Sequence, residues 1–262
     1  MANTQWTYVR SFETNPTLLP NTFLVVRIDG RNFHKFTSLH NYAKPNDDRG
    51  LQLMNKAAQY VMAELSEIVL AYGQSDEFSF VFDRKSNLYK RREAKIVTAV
   101  VSLFTSAFVL YWKSFFGSDD LQYPPSFDGR GVVYPTTRNL RDYLNWRQAD
   151  CHINNMYNTC FWALVQDKAL PHTNTQAEKI LKETDSAGKN ELLFSKYNTN
   201  YNQLPPMYRK GTVLYRKRIE YLVDTERGQI KRTKSMVMEE FVDIIGEIFW
   251  KQNSHLLGTE EI

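Results

Sequence analysis

The sequence predicts an α+β fold with a ferredoxin-like β-α-β-β-α-β order in its first half. Short apolar runs rich in β-branched and aromatic residues alternate with two longer segments in which apolar residues recur every three or four positions. The first pattern is typical of strands and the second of amphipathic helices. Helical spacing and basic charge dominate after residue 135. We therefore expect one domain over residues 1–135 and a helical and basic C-terminal part over residues 136–262 that packs on it.

The first half contains four predicted strands and two long helices. Residues 22–29 (TFLVVRID) form a buried strand, and residues 68–72 and 77–82 form two strands on either side of a turn. Residues 125–135 (PSFDGRGVVYP) form a fourth. The first helix has one apolar face, made by Leu51, Met54, Ala58, Val61, Leu65 and Ile68. The second repeats this spacing with Ile96, Val100, Leu103, Ala107 and Leu110.

The second half predicts helices and one hairpin. From residue 136 a helix presents a predicted buried face made by Ile153, Met156, Cys160 and Leu164, and a polar stripe beside it made by His152, Asn155 and Thr159. Residues 185–206 are polar, rich in Asn and Tyr, and predicted to be partly irregular. Residues 210–223 and 228–234 predict a basic hairpin. Residues 236–252 predict a final amphipathic helix.

The composition favours a folded protein with an anionic partner. The chain has 262 residues, 42% of them hydrophobic, which is enough for one large core. The net charge is only +4, but residues 84–95 hold six Lys or Arg against one acid, and residues 209–234 hold nine against three. Such clusters with interleaved Tyr point to nucleic acid, with an ordinary solvated surface as the alternative.

The remaining bulk features indicate where the protein works. Two cysteines without a CxxC pair argue against a disulfide framework or a zinc site and fit a reducing compartment. The N-terminus lacks a signal-peptide pattern, and we expect no apolar run near the roughly 20 residues that span a bilayer. Residues 231–234 (KRTK) are too few to establish nuclear import. We therefore predict a cytoplasmic protein without a membrane partner, with the nucleus as a second compartment.

Three carboxylates are predicted to converge. Asp29 ends the first strand, and Asp76 and Glu77 lie in the turn that enters the third. An isolated acidic turn usually reflects turn chemistry alone. In a ferredoxin-like sheet, however, strands one and three are neighbours, so these acids meet at one edge. Their repulsion is tolerable when divalent cations lie between them, and oxygen ligands suit Mg²⁺.

Two Mg²⁺ ions at such a site support phosphoryl chemistry. Nucleic-acid polymerases and nucleotide cyclases share this palm arrangement, so the fold alone does not choose between them. The chain lacks a P-loop, a GxGxxG, a GxSxG and an HExxH motif, which argues against the enzyme classes that use them. A second unusual feature is the crowding of His152, Asn154, Asn155 and Asn158 into two helical turns, which is unfavourable for helix formation and favours a binding role.

Five stretches resemble the tRNA-His guanylyltransferase family of the eukaryotic kind. They are RIDGRNFHKF (27–36), YAKPND (42–47), YGQSDEFSFVF (72–82), DGR (128–130) and WRQADCHINNMYNT (146–159). The resemblance covers about residues 5–218. It implies an enzyme with a polymerase-type palm that adds a guanosine to the 5′ end of tRNA-His, at position −1. It also implies a homotetramer, built as a dimer of dimers.

The resemblance implies both the reaction steps and the residues. ATP adenylylates the tRNA 5′-monophosphate, the 3′-hydroxyl of GTP attacks and expels AMP, and pyrophosphate is then removed. Asp29, the Gly30 carbonyl and Asp76 would bind two Mg²⁺ ions, supported by Glu77. The nucleotides would contact Asp29, Gly30, Arg31, Asn32, Phe33, His34, Lys44, Asp47, Ser75, Asp76, Arg92 and Lys95. The tRNA would contact His152, Asn155 and Lys189.

Two other functions stay open at this stage. A nucleotidyl cyclase would use the same carboxylates but would need neither the basic clusters nor the His-Asn helix. The second alternative is a non-catalytic RNA-binding module with a metal-stabilised palm. The presence of Asp29, Asp76 and Glu77 together argues against this last alternative.

Overall fold

The computed structural model describes residues 4–225 and 228–257. Over these residues the fold is α+β, as predicted. One six-stranded sheet has all neighbouring strands antiparallel, in the order β4-β1-β3-β2-β5-β6. The strands are β1 (Phe23–Gly30), β2 (Ile68–Gln74), β3 (Glu77–Phe82), β4 (Phe127–Tyr134), β5 (Thr212–Thr225) and β6 (Gly228–Glu240).

Eight α-helices are described. They are α1 (Phe33–Leu39), α2 (Asp48–Glu64), α3 (Glu93–Phe116), α4 (Thr137–Val165), α5 (Asn174–Lys182), α6 (Ser186–Glu191), α7 (Pro206–Lys210) and α8 (Glu247–Gln252). The helix α2 connects β1 to β2, and α3 connects β3 to β4. The element order predicted for the first half is therefore present, and β1 lies between β3 and β4 in the sheet.

The sheet is covered on both faces because side chains alternate along each strand. Leu24, Val26 and Ile28 of β1 pack with α2 and α3, whereas Phe23 and Val25 pack with α4 and α8. A smaller cluster joins the C-terminal part of α4 to α5 and to the segment after α6. The predicted hairpin is β5–β6, and β5 pairs with β2, so the hairpin extends the sheet of the first half.

The helix α3 differs from the expectation that no apolar run approaches spanning length. By length and composition it is apolar enough to cross a membrane. One of its sides is buried against the sheet, through Ile96, Val100, Phe104, Phe108 and Trp112. The apolar character thus accompanies a place in the core, while Leu110 on another side is 67% exposed.

Two sequence predictions for the second half are wrong in part, and a third is confirmed. Ile153 is 60% exposed, whereas Asn155 and Thr159 of the predicted polar stripe are buried. Residues 185–206 are partly irregular, as predicted, at 198–200 and 204–205. Between these stretches they form helical turns, in which Leu193 and Tyr201 pack on the C-terminal part of α4. The predicted helix over residues 236–252 is strand up to Glu240, since this stretch pairs with the start of β5.

Candidate active site

The carboxylates Asp29, Asp76 and Glu77 lie at one end of adjacent strands, as the sequence predicted. Asp29 is directly opposite Glu77 in the β1–β3 pair. The Gly30 amide donates to the carbonyl oxygen of Asp76 at 3.0 Å, which fixes the turn beside the end of β1. Ser75 has a left-handed backbone (φ 50°), and its hydroxyl donates to Asp76 Oδ1 at 3.0 Å. Local turn chemistry therefore aims Asp76 at Asp29.

This end of the sheet disfavours carboxylate charge. Burial is the main cause that raises the pKa of Asp76 to about 6. The negative charge of Asp29 contributes to this rise, whereas the hydrogen bond from Ser75 opposes it. Burial also raises the pKa of Asp29, as does Asp128, which lies opposite it on β4. Two desolvated carboxylates of this kind are stabilised by a cation between them. An oxygen-only donor set fits Mg²⁺, which completes its shell with carbonyl groups, water and phosphate.

Glu77 has a different environment, because arginines neutralise it. Its Oε1 and Oε2 atoms lie 3.2 and 3.1 Å from Nη1 of Arg147, and Arg27 Nε lies 3.7 Å from Oε2. Glu77 and Arg147 are both buried. Among the residues that the structure describes, no three His, Cys, Asp or Glu side chains converge on a common point. The prediction that all three carboxylates converge is therefore wrong in part, because Glu77 is paired with arginines while Asp29 and Asp76 form the acidic pair.

Sequence reasoning missed Arg147. The residue lies on α4, where positions 147, 151, 155 and 158 share one face and line the cleft over the carboxylates. The spacing of four, four and three residues between these positions is the sequence signal that they share one helix face. Three of those four positions are polar, so the stripe resembles a surface rather than a core face.

Two adjoining clefts open beside the acidic pair. The larger, of about 450 Å³, has aromatic walls and carries His34, Lys44, Ser75 and Asp76 on its polar side. Its aromatic lining consists of Phe33, Tyr42, Tyr157, Phe161 and Trp162. The smaller, of about 280 Å³, contains Asp29, Asp76, Glu77 and Arg147. Their size and mixed lining are typical of a small-molecule site.

Lys44 and Asp47 have different positions at the larger cleft. The Lys44 ammonium donates to Thr37 Oγ1 at 3.1 Å and lies 5.8 Å from the ring of Trp162, and burial lowers its pKa. Asp47 is buried and accepts hydrogen bonds from the Ala43 amide and from Arg49. Burial raises the pKa of Asp47, but these hydrogen bonds outweigh it and hold the pKa below the ordinary value. Asp47 therefore fixes the loop that presents Lys44.

The segment from Asp29 to His34 forms the edge between strand and cleft. Arg31 and Asn32 are exposed, and Asn32 has a left-handed backbone that starts α1. Phe33 is buried and stacks on Phe36 with ring centroids 4.7 Å apart. This packing anchors the segment, so its polar groups and backbone stay beside Asp76.

Comparisons with known proteins identify the family of the chain. The family model described as tRNAHis guanylyltransferase matches residues 6–135, and the model described as Thg1 C terminal domain matches residues 138–246. The chain belongs to the tRNA-His guanylyltransferase family. A probable tRNA(His) guanylyltransferase of Dictyostelium discoideum is 54% identical over 260 residues, which cover 99% of this chain and 100% of the relative.

Solved structures of the family have the same fold. The crystal structure of the enzyme from Saccharomyces cerevisiae is similar with a TM-score of 0.77 and 40% identity, over 87% of this chain and 96% of that one. A bacterial guanylyltransferase-like protein in complex with ATP is similar in fold with a TM-score of 0.70 and 21% identity, over 95% of each chain. As a member of the family, this protein is a nucleotidyltransferase.

The family resemblance implies that Arg92 and Lys95 contact the nucleotide. In a single chain these two residues lie away from the clefts. Phe104 of α3 packs on Phe127, which pairs with Gly30 at the end of β1. Arg92 precedes Phe104 by twelve residues, or about 18 Å of helix, and Lys95 by about 13 Å. Neither lines the clefts; Arg92 Nε donates to the Tyr89 carbonyl. The prediction that they contact the nucleotide does not hold within one chain.

The three predicted tRNA contacts are divided between the cleft and the outer part of the chain. Asn155 lines the smaller cleft and joins Asn46, at 3.0 Å, to the Tyr201 hydroxyl, at 3.1 Å. His152 is largely exposed next to it, with its ring 5.3 Å from that of Tyr201. Partial desolvation on the Tyr201 side, together with the charge of Arg209, lowers the pKa of His152. Lys189 lies away from both clefts and donates to carbonyl groups at the end of α5. Within one chain, Lys189 caps a helix.

We expect Gly30→Ala to disturb the acidic pair. A Cβ atom there would lie 2.5 Å from Phe33 Cδ2 and 2.9 Å from Asp76 Oδ2, closer than real Cβ contacts allow. The variant should lose about 1–3 kcal/mol of stability through overpacking, and it should transfer nucleotide more slowly because Asp76 must shift. Gly246→Ala is the matched control, since the nearest atom there is 3.9 Å away. Equal unfolding temperatures and rates for the two variants would contradict the assignment.

Proposed function

We propose that this protein adds a guanosine to the 5′ end of tRNA-His, at position −1, in an ATP-dependent reaction. ATP adenylylates the 5′-monophosphate, the GTP 3′-hydroxyl attacks and displaces AMP, and pyrophosphate is removed afterwards. The observation that carries the proposal is the desolvated pair Asp29 and Asp76 at the edge of a nucleotide-sized cleft. The names of its relatives, which are tRNA(His) guanylyltransferases, support the same substrate.

The chemistry needs charge compensation at the reacting phosphorus. When bound, two Mg²⁺ ions would supply it, held by Asp29, Asp76 and the Gly30 carbonyl. The chain's own residues prepare this end of the sheet. Ser75 orients Asp76, and Arg147 and Arg27 neutralise Glu77 so that it adds no third free charge to the pair. We propose that the sheet is a ferredoxin-like polymerase palm, with the catalytic domain ending near residue 135.

The larger cleft would hold a nucleotide. Its aromatic walls suit a purine base, and Lys44 is positioned to attract phosphate. The triphosphate of GTP would lie along Arg31, Asn32 and His34 at the edge beside Asp76. Loss of Lys44 as a cation would weaken a charge-assisted contact, at a cost of about 1.5–3 kcal/mol, or roughly ten- to a hundred-fold in rate.

The outer face of α4 would receive the tRNA. His152 is exposed beside the cleft, and Asn155 is held in place by Asn46 and Tyr201. Asn155 lines the smaller cleft, and it and His152 would contact a 5′ phosphate held there. Lys189, as the cap of α5, would support this surface rather than contact the RNA from within the cleft.

We further propose a homotetramer, arranged as a dimer of dimers. Large apolar side chains are exposed near the N-terminus and on α3, a distribution that favours association between copies. They include Trp6, Tyr8, Phe12 and Leu110. In such an assembly Arg92 and Lys95 would reach the nucleotide of a neighbouring copy. The two cysteines are buried and unpaired, which suits the cytoplasm, with the nucleus as a second compartment.

A labelling experiment tests the function. The protein is incubated with radiolabelled GTP, ATP, Mg²⁺ and either tRNA-His or another tRNA. Label at the 5′ end of tRNA-His, dependent on ATP for a 5′-monophosphate but not for a 5′-triphosphate, is the expected result. A cyclic nucleotide product would instead indicate a cyclase, and binding without any product would indicate an RNA-binding module.

Mixed oligomers test the role of Arg92. We expect Arg92→Ala and Asp76→Asn each to be nearly inactive alone. Coexpression should restore transfer to about a quarter of wild type, because random assembly combines an intact Asp76 with a neighbour's intact Arg92 at one site in four. Coexpression of Asp29→Asn with Asp76→Asn is the control, which should stay inactive because both residues belong to the same chain's site. Activity no higher than the sum of the single variants would show that Arg92 does not act across copies.

A further inference from the structure

The hairpin β5–β6 has two unlike faces beyond the body of the sheet. Residues paired across antiparallel strands share a face, and successive pairs alternate. The first face, here called the α8 face, is the one on which Tyr215 lies, and the Tyr215 ring contacts Phe249 of α8. Further along the hairpin the α8 face carries Lys217, Ile219, Tyr221, Arg232, Lys234 and Met236. The opposite face, here called the α2 face, is the one on which Arg216 lies, and Arg216 donates to the carbonyl of Ile68, which follows α2. Further along the hairpin the α2 face carries Arg218, Glu220, Leu222, Lys231, Thr233 and Ser235.

The charges on the two faces are organised differently. On the α2 face Lys231 forms an ion pair with Glu220, with a distance of 3.6 Å. On the α8 face Lys217, Arg232 and Lys234 are all exposed, and none forms an ion pair with a described residue. The acid on this face is Glu240, at the base of the hairpin, where it accepts a hydrogen bond from the Tyr215 hydroxyl. Among the described residues, the α8 face thus has three cations without an ion-pair partner.

The α8 face also points along a definite direction from the site. Thr212 at the start of β5 pairs with Gly73, three residues before Asp76, and β5 then runs away from the acidic pair. Lys217 is about 16 Å further along the strand, and Arg232, opposite Tyr221, is about 30 Å along. The α8 face lies on the side of the sheet that α4 covers. The three cations therefore form a row that leads outward from the active site on the α4 side of the sheet.

We propose that the α8 face of the hairpin binds the phosphate backbone of the base-paired acceptor stem whose 5′ end occupies the active site. The inference rests on the proposed function, since it takes tRNA as the substrate. A row of cations without acids attracts a line of phosphates, and it holds a duplex in register without reading its sequence. An RNA whose 5′ end lies at Asp76 continues from there into the base-paired stem. The phosphate backbone of the stem and the row of cations would therefore both begin near Asp76 and run outward in the same direction.

The test uses two double variants of equal charge. Arg232→Gln with Lys234→Gln removes two cations from the α8 face, and Arg218→Gln with Lys231→Gln removes two from the α2 face. Binding is measured by fluorescence anisotropy against salt, with tRNA-His and with a hairpin RNA that contains only its acceptor stem. The α8-face variant should make the slope of log affinity against log salt shallower by about two units, and weaken binding at 0.15 M salt about ten- to thirty-fold, for both RNAs. The α2-face variant should behave like wild type.

Three results would overturn the inference. The first is an equal change for both variants, which would mean general electrostatics. The second is a loss seen with whole tRNA but not with the stem hairpin, which would place the contact elsewhere on the tRNA. The third is a changed oligomeric state of the α8-face variant in sedimentation, which would make this face a contact between copies. Guanosine transfer at saturating tRNA should be unchanged in both variants. Absence of transfer from every protein, wild type included, would refute the proposed function instead, while the binding comparison would still stand.

Discussion

Replacing Asp76 by asparagine should abolish guanosine transfer and yet make the metal-free protein more stable. The half-buried carboxylate lies close to Asp29, and its pKa in the folded protein is raised to about 6 from 3.8. A raised carboxyl pKa means that the folded state binds more protons than the unfolded state between these values. Stability therefore falls as pH rises from about 4 to 6, and the ionised group costs up to about 3 kcal/mol above pH 6.

The Asp76→Asn variant lacks this cost, so without metal it should be more stable than wild type, not less. In EDTA at pH 7.5 it should unfold several degrees above wild type, and the difference should disappear as pH falls to about 4. Added Mg²⁺ should stabilise wild type and leave the variant unchanged, because a ligand stabilises only the protein that binds it. Asp142→Asn is the control, since that side chain is 66% exposed and lines neither cleft. A variant that is less stable than wild type at pH 7.5, or one that keeps transferring guanosine, would refute the role of Asp76.

Arg147→Met should destabilise the protein by about 3–5 kcal/mol, because it leaves Glu77 buried without its main partner. Both oxygens of Glu77 contact Arg147, and the more distant Arg27 cannot replace it. Burial raises the pKa of Glu77, with Arg147 and Arg27 opposing the rise. Loss of Arg147 should therefore raise this pKa further, so the deficit should shrink as pH falls and Glu77 takes up a proton.

A double variant separates the ion pair from general packing. Glu77→Gln combined with Arg147→Met should recover much of the lost stability, since no buried charge remains. It should not recover the transfer rate if the pair also shapes the acidic site. Arg138→Met serves as the control on the same helix, because this side chain is 89% exposed and should change stability by less than about 1 kcal/mol. A double variant no more stable than Arg147→Met would show that the coupling is absent.

The elements of the first half could be predicted because each has a local cause. A β-branched run predicts β1 and an aromatic run predicts β3, while apolar spacing predicts α2 and α3. Gly-x-Ser-Asp predicts the turn that carries Asp76. Strand order then placed Asp29 beside that turn. Each of these inferences uses residues close together in sequence, or one topological rule.

The predictions that were wrong or missing concern contacts between residues that lie far apart in the sequence. Arg147 is 70 residues from Glu77, and nothing in the local pattern of α4 shows that they form an ion pair. The buried state of Asn155 depends on Asn46 and Tyr201, which come from separate segments. The strand at residues 236–240 was mistaken for helix because its pairing with β5 overrides its apolar spacing.

The sequence by itself thus determined the fold class, the acidic pair and the family motifs. Only the tertiary structure decided which acid is neutralised, which face of α4 is buried, that Arg92 and Lys95 lie away from their own chain's cleft, and which face of the hairpin keeps its cations. The physical reason is that periodicity and turn chemistry act within a few residues, whereas charge compensation and burial depend on contacts between distant parts of the chain.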